Sequence, residues 1–222
     1  MANKGGRRHI NRLASSKYMK VGKKTSAYVT KPMPGRHTLD SSIALGTVLK
    51  EKLGIVNSIS EAEAILRTGA VKVNGKAIKE QRYPVGFGDV IELVPSNKRY
   101  IINIDRFGAF AIEESTSKQM FKVVGKYMAK NGKIMMRLNN GIILPAESGV
   151  KTNDTIELHE GKKTVIKMEP GRKCLVITGT HASERGTIKE IKQGSAQRDP
   201  LVSIEGSTGM FETLLDNIMV IS

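Results

Sequence analysis

Apolar side chains between residues 43 and 53 recur at intervals of three and four positions, which is the spacing of one face of a helix. Asp40 or Ser41 can accept hydrogen bonds from the unpaired backbone N–H groups at the start of such a helix. Gly54 follows the last apolar position and can adopt the left-handed conformation that ends a helix. We therefore predict a first helix between residues 41 and 53.

A second helix and a β-hairpin are predicted from the residues that follow. Ser60 and Glu63 have the spacing of a capping box, in which each side chain bonds to the backbone N–H of the other residue. Further on, Asn74-Gly75 separates two alternating stretches, and this dipeptide favours the type I′ turn of a tight hairpin. A strand from Val90 to Val94 is predicted to complete the segment.

The rest of the chain has the alternating pattern of short strands. Between residues 96 and 168 the stretches are separated by turn-forming groups such as Asn139-Asn140-Gly141. A small barrel or sandwich is expected there, because closure buries the edges of strands this short. Beyond residue 169, a hydrophobic strand from Cys174 to Ile177 leads into a polar loop, and a second strand follows Gly186.

Charge is distributed unevenly along this pattern. The chain of 222 residues contains 36 Lys and Arg and 21 Asp and Glu, which gives a net charge of +15. Two thirds of the excess lies in residues 1–39, which contain ten cations and no acidic residue, whereas residues 40–95 are neutral overall. An acid-free segment of this length indicates a polyanionic partner, because binding releases the partner's counterions.

This N-terminal segment, which we call the arm, also contains apolar residues that a purely solvating tail lacks. We expect them to anchor the arm on RNA, and we expect the arm to be unordered before binding. A disordered solubility tail is the alternative interpretation. The apolar residues are Ile10, Leu13, Tyr18, Met19, Val21, Tyr28 and Val29. The RNA contacts expected in the arm are Arg7, Arg8, His9, Arg12, Lys17, Lys20, Lys23, Lys24, Arg36 and His37.

Composition argues against several classes of function. No stretch of about 18 apolar residues is present to cross a membrane, and no apolar signal-peptide segment follows the N-terminus. The single cysteine, Cys174, cannot form an internal disulfide or a cysteine-based zinc site, and it is typical of a reducing cytosol. The four histidines lack metal-ligand spacing. We expect no catalytic residue, no metal site and no cofactor.

Aromatic residues are few, with five Phe, five Tyr and no Trp. Such a composition does not suit a single-strand binder that stacks successive bases on rings. It suits recognition of folded RNA through its phosphates, sugars and shape.

Residues 40–95 resemble the αL RNA-binding domain, a small domain of several ribosomal proteins and RNA-modifying enzymes. Two short helices are followed by a hairpin that reads Val-Lys-Val-Asn-Gly-Lys and a strand that reads Gly-Asp-Val-Ile-Glu-Leu. In that family the helix pair and the hairpin lie against structured RNA. The resemblance implies a contact face that includes Lys50, Lys52, Arg67, Lys72, Asn74 and Lys76.

The segment Gly171–Ile191 resembles a KOW motif, a strand–loop–strand unit of many ribosomal proteins and some transcription elongation factors. Its glycines permit tight backbone turns. The loop presents His181, Ser183 and Arg185. The resemblance implies RNA contacts by Arg172 and Arg185.

Over its whole length the chain resembles the archaeal and eukaryotic small-subunit ribosomal protein family S-four-e. Three segments carry this resemblance: the paired basic residues, His and Arg-Leu of Arg7–Leu13, the Tyr-Pro-x-Gly-Phe-x-Asp-Val of Tyr83–Val90, and the Phe-x-Thr and Asn-Ile-x-Val-Ile of Phe211–Ile221. It implies a cytoplasmic, ribosome-associated scaffold that binds small-subunit ribosomal RNA beside neighbouring small-subunit ribosomal proteins. The longer basic tail of eukaryotic members does not follow the third segment, so an archaeal source is expected.

We therefore predict a multi-domain α+β protein. Its parts are a basic extended N-terminal arm (1–39), an αL domain (40–95), a β-rich central domain (96–168) and a C-terminal SH3-like KOW β-barrel (169–222). Two other functions are open at this point. An RNA-modifying enzyme would need a large catalytic domain behind its αL domain, and a transcription elongation factor would leave the arm and the αL domain unexplained.

Overall fold

The computed structural model describes residues 6–105, 107–114, 119–147, 149–159, 162–194, 198–207 and 209–221. These residues fall into two compact units, both built mainly of β-strands. The first unit consists of residues 6–103 and 109–114. The second consists of residues 104, 105, 107 and 108 and the described residues from 119 onward.

The described part of the first unit contains one larger sheet and two small ones. Its strands are β1 (His9–Asn11), β2 (Tyr28–Thr30), β3 (Ile43–Ala44), β4 (Val71–Val73), β5 (Lys76–Ala77), β6 (Pro84–Val85), β7 (Val90–Leu93), β8 (Lys98–Ile104) and β9 (Phe110–Glu114). The larger sheet has the order β5-β4-β7-β8-β9, and the small sheets pair β1 with β2 and β3 with β6. Because β8 pairs antiparallel with β7, the sheet continues past residue 95, where the sequence pattern placed a domain boundary.

The first helix begins later than its sequence pattern predicts. Helix α1 spans Leu45–Thr47 and continues as a π-helical segment, Val48–Lys52. Ile43 and Ala44 are extended instead of helical, since they pair with Val85 and Pro84 of β6. A long-range strand pairing therefore takes precedence over the local cap at residues 40 and 41.

The second helix begins earlier than predicted. Helix α2 spans Ile59–Arg67, and its N-cap is Ser58, whose hydroxyl accepts from the Glu61 N–H at 3.1 Å. The Glu61 carboxylate in turn accepts from the Asn57 N–H at 2.8 Å. The prediction of a capping box at Ser60 and Glu63 is wrong, because Ser58 and Glu61 have the same spacing and take that role.

The hairpin turn has the predicted conformation. Asn74 and Gly75 have φ angles of 50° and 78°. Two successive positive values are the signature of a type I′ turn. They connect Val73 and Lys76, which lie opposite each other in β4 and β5.

Residues 6–39 are folded and not extended. After β1 the chain makes 3₁₀ turns at Arg12–Ala14 and Lys17–Met19 and returns as β2, which packs against α1. Met19, Val21 and Val29 are only 1–6% exposed. The expectation of an extended arm that is unordered before binding is therefore wrong for these residues, because their apolar side chains are buried in the protein's own core.

The described part of the second unit contains two five-stranded sheets, with orders β12-β11-β10-β13-β14 and β18-β17-β16-β15-β19. Their strands are β10 (Gln119–Met128), β11 (Ile134–Leu138), β12 (Ile143–Pro145), β13 (Thr155–His159), β14 (Lys162–Ile166), β15 (Lys173–Val176), β16 (Arg185–Lys192), β17 (Leu201–Gly206), β18 (Gly209–Leu214) and β19 (Ile218–Val220). A 3₁₀ turn at Leu215–Asn217 precedes β19. Strands β17 to β19 are not among those that the pattern predicts.

The described part of the second unit contains two hydrophobic cores, and Ile166 of β14 belongs to the core of the second sheet. Phe121 and Ile156 belong to the core of the first sheet, and Cys174 and Ile188 belong to that of the second. Cys174 is fully buried, as its position in an apolar strand predicts. Burial raises the pKa of its thiol to about 11.

Candidate nucleic-acid interface

The described part of the arm presents cations with no acidic residue among them. Residues 6–39 contain nine Lys and Arg and no Asp or Glu. Of these cations only Arg12 is buried, and Lys31 and Arg36 are half-buried. The exposed ones are Arg7, Arg8, Lys17, Lys20, Lys23 and Lys24. The surface of the arm therefore carries a single sign of charge.

The seven apolar residues named above in the arm differ in exposure. Met19, Val21 and Val29 are buried and hold the arm on the first unit. Leu13 and Tyr28 are 70% and 59% exposed. The ring of His9 packs edge-on against Tyr28, with 4.5 Å between centroids. Leu13 and Tyr28 are therefore available as apolar anchors for a partner, whereas Ile10 and Tyr18 are half-buried.

Arg12, predicted to contact RNA, is enclosed by the fold. Its side chain is 6% exposed and forms an ion pair with Glu51 of the π-helical segment. The guanidinium also donates to Ser26 Oγ at 2.7 Å, to the Gly22 carbonyl at 3.0 Å and to the Tyr28 carbonyl at 3.1 Å. These acceptors occupy the planar set of donors that a guanidinium offers, so Arg12 fastens the arm and does not face solvent.

His37 and Asn74, also predicted RNA contacts, converge on the buried carboxylate of Asp89. His37 Nε2 lies 2.7 Å from Asp89 Oδ2, and Asn74 Nδ2 donates to Asp89 Oδ1 at 2.7 Å. The Gly86 N–H donates to Oδ2 at 3.0 Å. A Cβ at Gly86 would lie 2.7 Å from His37 Nδ1, so the His37 ring fits only over a glycine. The segment Tyr83–Val90 therefore builds a polar centre inside the fold.

The remaining predicted contacts of the first unit have different environments. The Lys52 ammonium donates to the Phe110 carbonyl at 3.1 Å, which is an internal contact. Lys50 and Lys72 are half-buried and Lys76 is exposed. Arg67 is 73% exposed and pairs with Glu63 one helical turn away at 2.6 Å. An exposed pair of this kind is weak, so Arg67 stays available for an anionic partner.

A basic cleft of about 810 Å³ lies where the arm meets the segment after it. Arg7, Arg8, Lys31, Arg36 and Arg82 line it. Neither Lys31 nor Arg82 is among the predicted contacts. Lys31 could have been included, since the arm is acid-free, but Arg82 lies in a neutral segment and nothing local marks it.

The loop between β15 and β16 is held by its own contacts. Gly179 and Ser183 have φ angles of 101° and 71°, which turn the backbone sharply. The His181 ring stacks on Phe211 at 4.1 Å, and its Nδ1 lies 3.0 Å from Glu184 Oε2. Arg185 is exposed at the start of β16, and Arg172 is exposed ahead of β15. These two cations face solvent, whereas His181 is half-buried.

Two further observations concern metals and membranes. Within the described ranges, no three His, Cys, Asp or Glu residues lie close enough together to hold a metal ion. In the same part of the chain, no helix is long and apolar enough to cross a membrane.

Comparison of the chain with known proteins identifies similar proteins. The S4 domain family model matches residues 45–91, within the segment predicted as the αL domain. The small ribosomal subunit protein eS4 of Methanosphaera stadtmanae is 34% identical over 228 residues, covering 100% of this chain and 95% of that protein. The protein of the same name from Methanocella arvoryzae is 33% identical over 96% of this chain and 93% of its own length.

A solved structure is also similar to this chain. The crystal structure of the 30S ribosomal protein S4e from Thermoplasma acidophilum matches with a TM-score of 0.67 at 28% identity, covering 82% of this chain and 96% of that one. The family resemblance predicted from the three sequence segments is confirmed. Since its relatives are about a third identical over almost the full length of both chains, the chain belongs to the family of the small ribosomal subunit protein eS4.

Proposed function

We propose that this protein is a structural constituent of the small ribosomal subunit, which binds ribosomal RNA, supports subunit assembly and translation, and catalyses no reaction. One observation carries the proposal: a folded arm fixed to an S4 domain turns cations and no acidic residue of its own toward solvent. Phosphates are the groups that such a surface attracts, and the release of their counterions drives binding.

The proposed RNA contacts form two groups on the first unit. The arm contributes Arg7, Arg8, His9, Lys17, Lys20, Lys23, Lys24 and Arg36. The helices and the hairpin contribute Lys50, Arg67, Lys72 and Lys76. Arg12, Lys52, His37 and Asn74 act indirectly in this proposal, because their polar groups bond within the fold.

The C-terminal residues 169–222 are proposed to act as a KOW-type barrel. The antiparallel pair β15–β16 and the glycine-turned loop between its strands support this assignment. Arg172 and Arg185 are the proposed RNA contacts there, since both are exposed. Neighbouring ribosomal proteins of the small subunit are the proposed protein partners.

The salt dependence of RNA binding tests the electrostatic role of the arm. If six exposed arm cations each neutralise one phosphate, the logarithm of the association constant falls against the logarithm of salt concentration with a slope of about −4 to −5. Replacement of Lys17, Lys20, Lys23 and Lys24 by Gln is expected to flatten this slope by about 3, because each lost phosphate contact removes somewhat less than one unit. Filter binding to purified small-subunit ribosomal RNA measures both slopes.

A matched control removes the same charge elsewhere. Gln at Lys130, Lys133, Lys151 and Lys167, which are exposed on the second unit, is expected to leave the slope nearly unchanged. Equal flattening by both variants would show that net charge alone drives binding, and would contradict the role given to the arm.

The ribosomal assignment has a separate test in cells. An affinity-tagged copy is expected to sediment with small subunits in a sucrose gradient and to be stripped from them by high salt. A protein that is found only in the free pool would overturn the assignment.

A further inference from the structure

The basic cleft combines two kinds of wall. Its cations are Arg7, Arg8, Lys31, Arg36 and Arg82, and no Asp or Glu among the residues that the structure describes lines it. The segment from Pro32 to Pro34 and Leu39 form an apolar side. Its volume of about 810 Å³ lies within the range of small-molecule sites. A nucleotide, which has an anionic phosphate and a base with two flat faces that stack on apolar groups, has the same two parts.

Backbone hydrogen bonds hold the cationic wall in place. The Lys31 N–H donates to the Arg8 carbonyl at 3.0 Å, and the Met33 N–H donates to the Arg82 carbonyl at 2.8 Å. The Arg82 guanidinium donates through Nε to the Lys31 carbonyl at 3.1 Å. These bonds therefore hold three segments that are distant in sequence side by side. The cations of these segments are close together without a ligand.

One guanidinium nitrogen of Arg36 lacks a hydrogen-bond acceptor among the described residues. This nitrogen, Nη1, is excluded from solvent. That nitrogen lies out of reach of a ligand in the cleft, but Arg36 also lines the cleft, and a guanidinium has further N–H groups that suit phosphate oxygens. His37 also lines the cleft, but its Nε2 is engaged with Asp89. Arg36, which is half-buried in the wall of the cleft, is therefore one of the guanidinium groups suited to hold the phosphate.

Two apolar side chains of the cleft are exposed to solvent. Met33 is 37% exposed and Leu39 is 43% exposed. Proline rings and a thioether pack well on the face of a base, the thioether because sulfur is polarisable. Such a wall has no geometry for reading a particular base edge, so it accepts any base. Its presence distinguishes the cleft from the open cationic surface of the arm.

We infer that this cleft receives one unpaired nucleotide of the bound RNA. Its phosphate lies on Arg36 and Arg82, and its base lies against Met33, Pro34 and Leu39. The inference rests on the proposed binding of ribosomal RNA. It adds that a nucleotide extruded from the folded RNA fixes the register of the complex, whereas the exposed lysines bind backbone phosphates without register.

The experiment uses the full-length protein and purified small-subunit ribosomal RNA. Base-specific chemical probing is expected to show an unpaired nucleotide that the wild-type protein protects. Met33→Ser with Leu39→Ser should restore the reactivity of that base while the rest of the footprint persists. The matched control is Ile55→Ser with Val94→Ser, which are 43% and 50% exposed on the same unit but outside the cleft.

The phosphate half of the cleft is tested by affinity. Arg36→Gln is expected to weaken binding about tenfold, and Arg36→Lys should recover only part of this, because an ammonium cannot make the paired contact. Lys79→Gln removes an equal charge from an exposed site and should change affinity little. Circular dichroism melts of each variant show that its fold is retained.

The outcomes separate the two levels of proposal. If the wild-type protein does not bind the RNA, the proposed function fails. If it binds but the Met33/Leu39 variant leaves every base as protected as before, the nucleotide cleft is refuted and the proposed function stands. If Arg36→Gln and Lys79→Gln weaken binding equally, the assignment of the phosphate to Arg36 is overturned.

Discussion

Substitution of Arg12 separates a structural cation from an RNA-binding one. Arg12→Gln removes the partner of Glu51 and leaves the Gly22 and Tyr28 carbonyls without their guanidinium donor. Breaking a buried ion pair from one side costs about 3–5 kcal/mol, because the other charge is left unpaired. The Glu51 side chain is 18% exposed and can recover part of its hydration. We therefore expect the first unit to lose about 3 kcal/mol of unfolding free energy, at the lower end of that range.

Tyrosine fluorescence in urea measures this loss. The chain has five Tyr and no Trp, and four of the tyrosines report on the first unit. Those four are Tyr18, Tyr28, Tyr83 and Tyr100. Tyr127 belongs to the second unit and is 45% exposed, so a Tyr127→Phe background removes its signal at little cost.

Two comparisons make the Arg12 prediction specific. Arg8→Gln removes the same charge from an exposed position and should change stability by less than about 0.5 kcal/mol. In a double-mutant cycle with Glu51→Gln, the two substitutions should couple by at least about 1 kcal/mol, because they remove one interaction. The reasoning would be refuted if Arg12→Gln left stability unchanged and instead reduced the salt slope of RNA binding by about one unit, which is the signature of a phosphate contact.

Three further predictions concern other buried groups. Lys122 Nζ donates to the carbonyls of Leu215 and Asp216 at 2.8 and 2.9 Å, and burial lowers its pKa to about 8, an effect that the charge of Asp216 opposes. Between about pH 8 and 10.5 the Lys122 amine is protonated in the unfolded chain but not in the folded one. As the pH rises through this range, the unfolding free energy of the wild type should therefore rise by up to about 3 kcal/mol relative to that of Lys122→Met. Urea titrations that show the same difference at every pH would contradict this. Gly86→Ala should lower thermal stability by about 1–3 kcal/mol through its clash with the His37 ring, whereas Gly125→Ala, with no atom within 4 Å of the added Cβ, should not. Cys174 should react with a disulfide reagent at pH 8 at least about 100-fold more slowly in the native than in the denatured protein, since burial raises its pKa to about 11, and rapid native labelling would contradict its burial.

Local sequence signals predict the presence of a helix, strand or turn better than they predict its first and last residues. The type I′ turn at Asn74-Gly75 follows from two residues that tolerate positive φ, so no distant contact is needed to form it. The start of α2 is less certain from sequence, because Ser58 and Ser60 are each followed three positions later by a glutamate. Both fit the capping-box pattern equally well, and the structure uses Ser58.

Long-range contacts account for the larger differences. Ile43 and Ala44 have the spacing of a helix face but are extended, because they pair with Val85 and Pro84 of β6, which lie 42 and 40 residues further along the chain. The arm likewise has the composition of a disordered segment, yet Met19, Val21 and Val29 bury themselves in the first unit. Composition indicates how much free energy it costs to order a segment. The sequence of the segment alone does not show which distant surface its side chains pack against.

Long-range contacts also explain which candidate RNA contacts are exposed and which are bonded within the fold. By segment, the arm is purely basic and residues 40–95 are neutral, and this division predicts RNA contacts throughout the arm. The neutral segment, however, contains the acids that fasten the arm: Glu51 binds Arg12, and Asp89 binds His37. Each of these acids converts a candidate contact into an internal anchor. The arm's exposed cations carry the positive field that the proposed RNA partner meets. A charge count thus predicts the sign of the surface, but only the three-dimensional pairing of Glu51 and Asp89 shows which cations produce it.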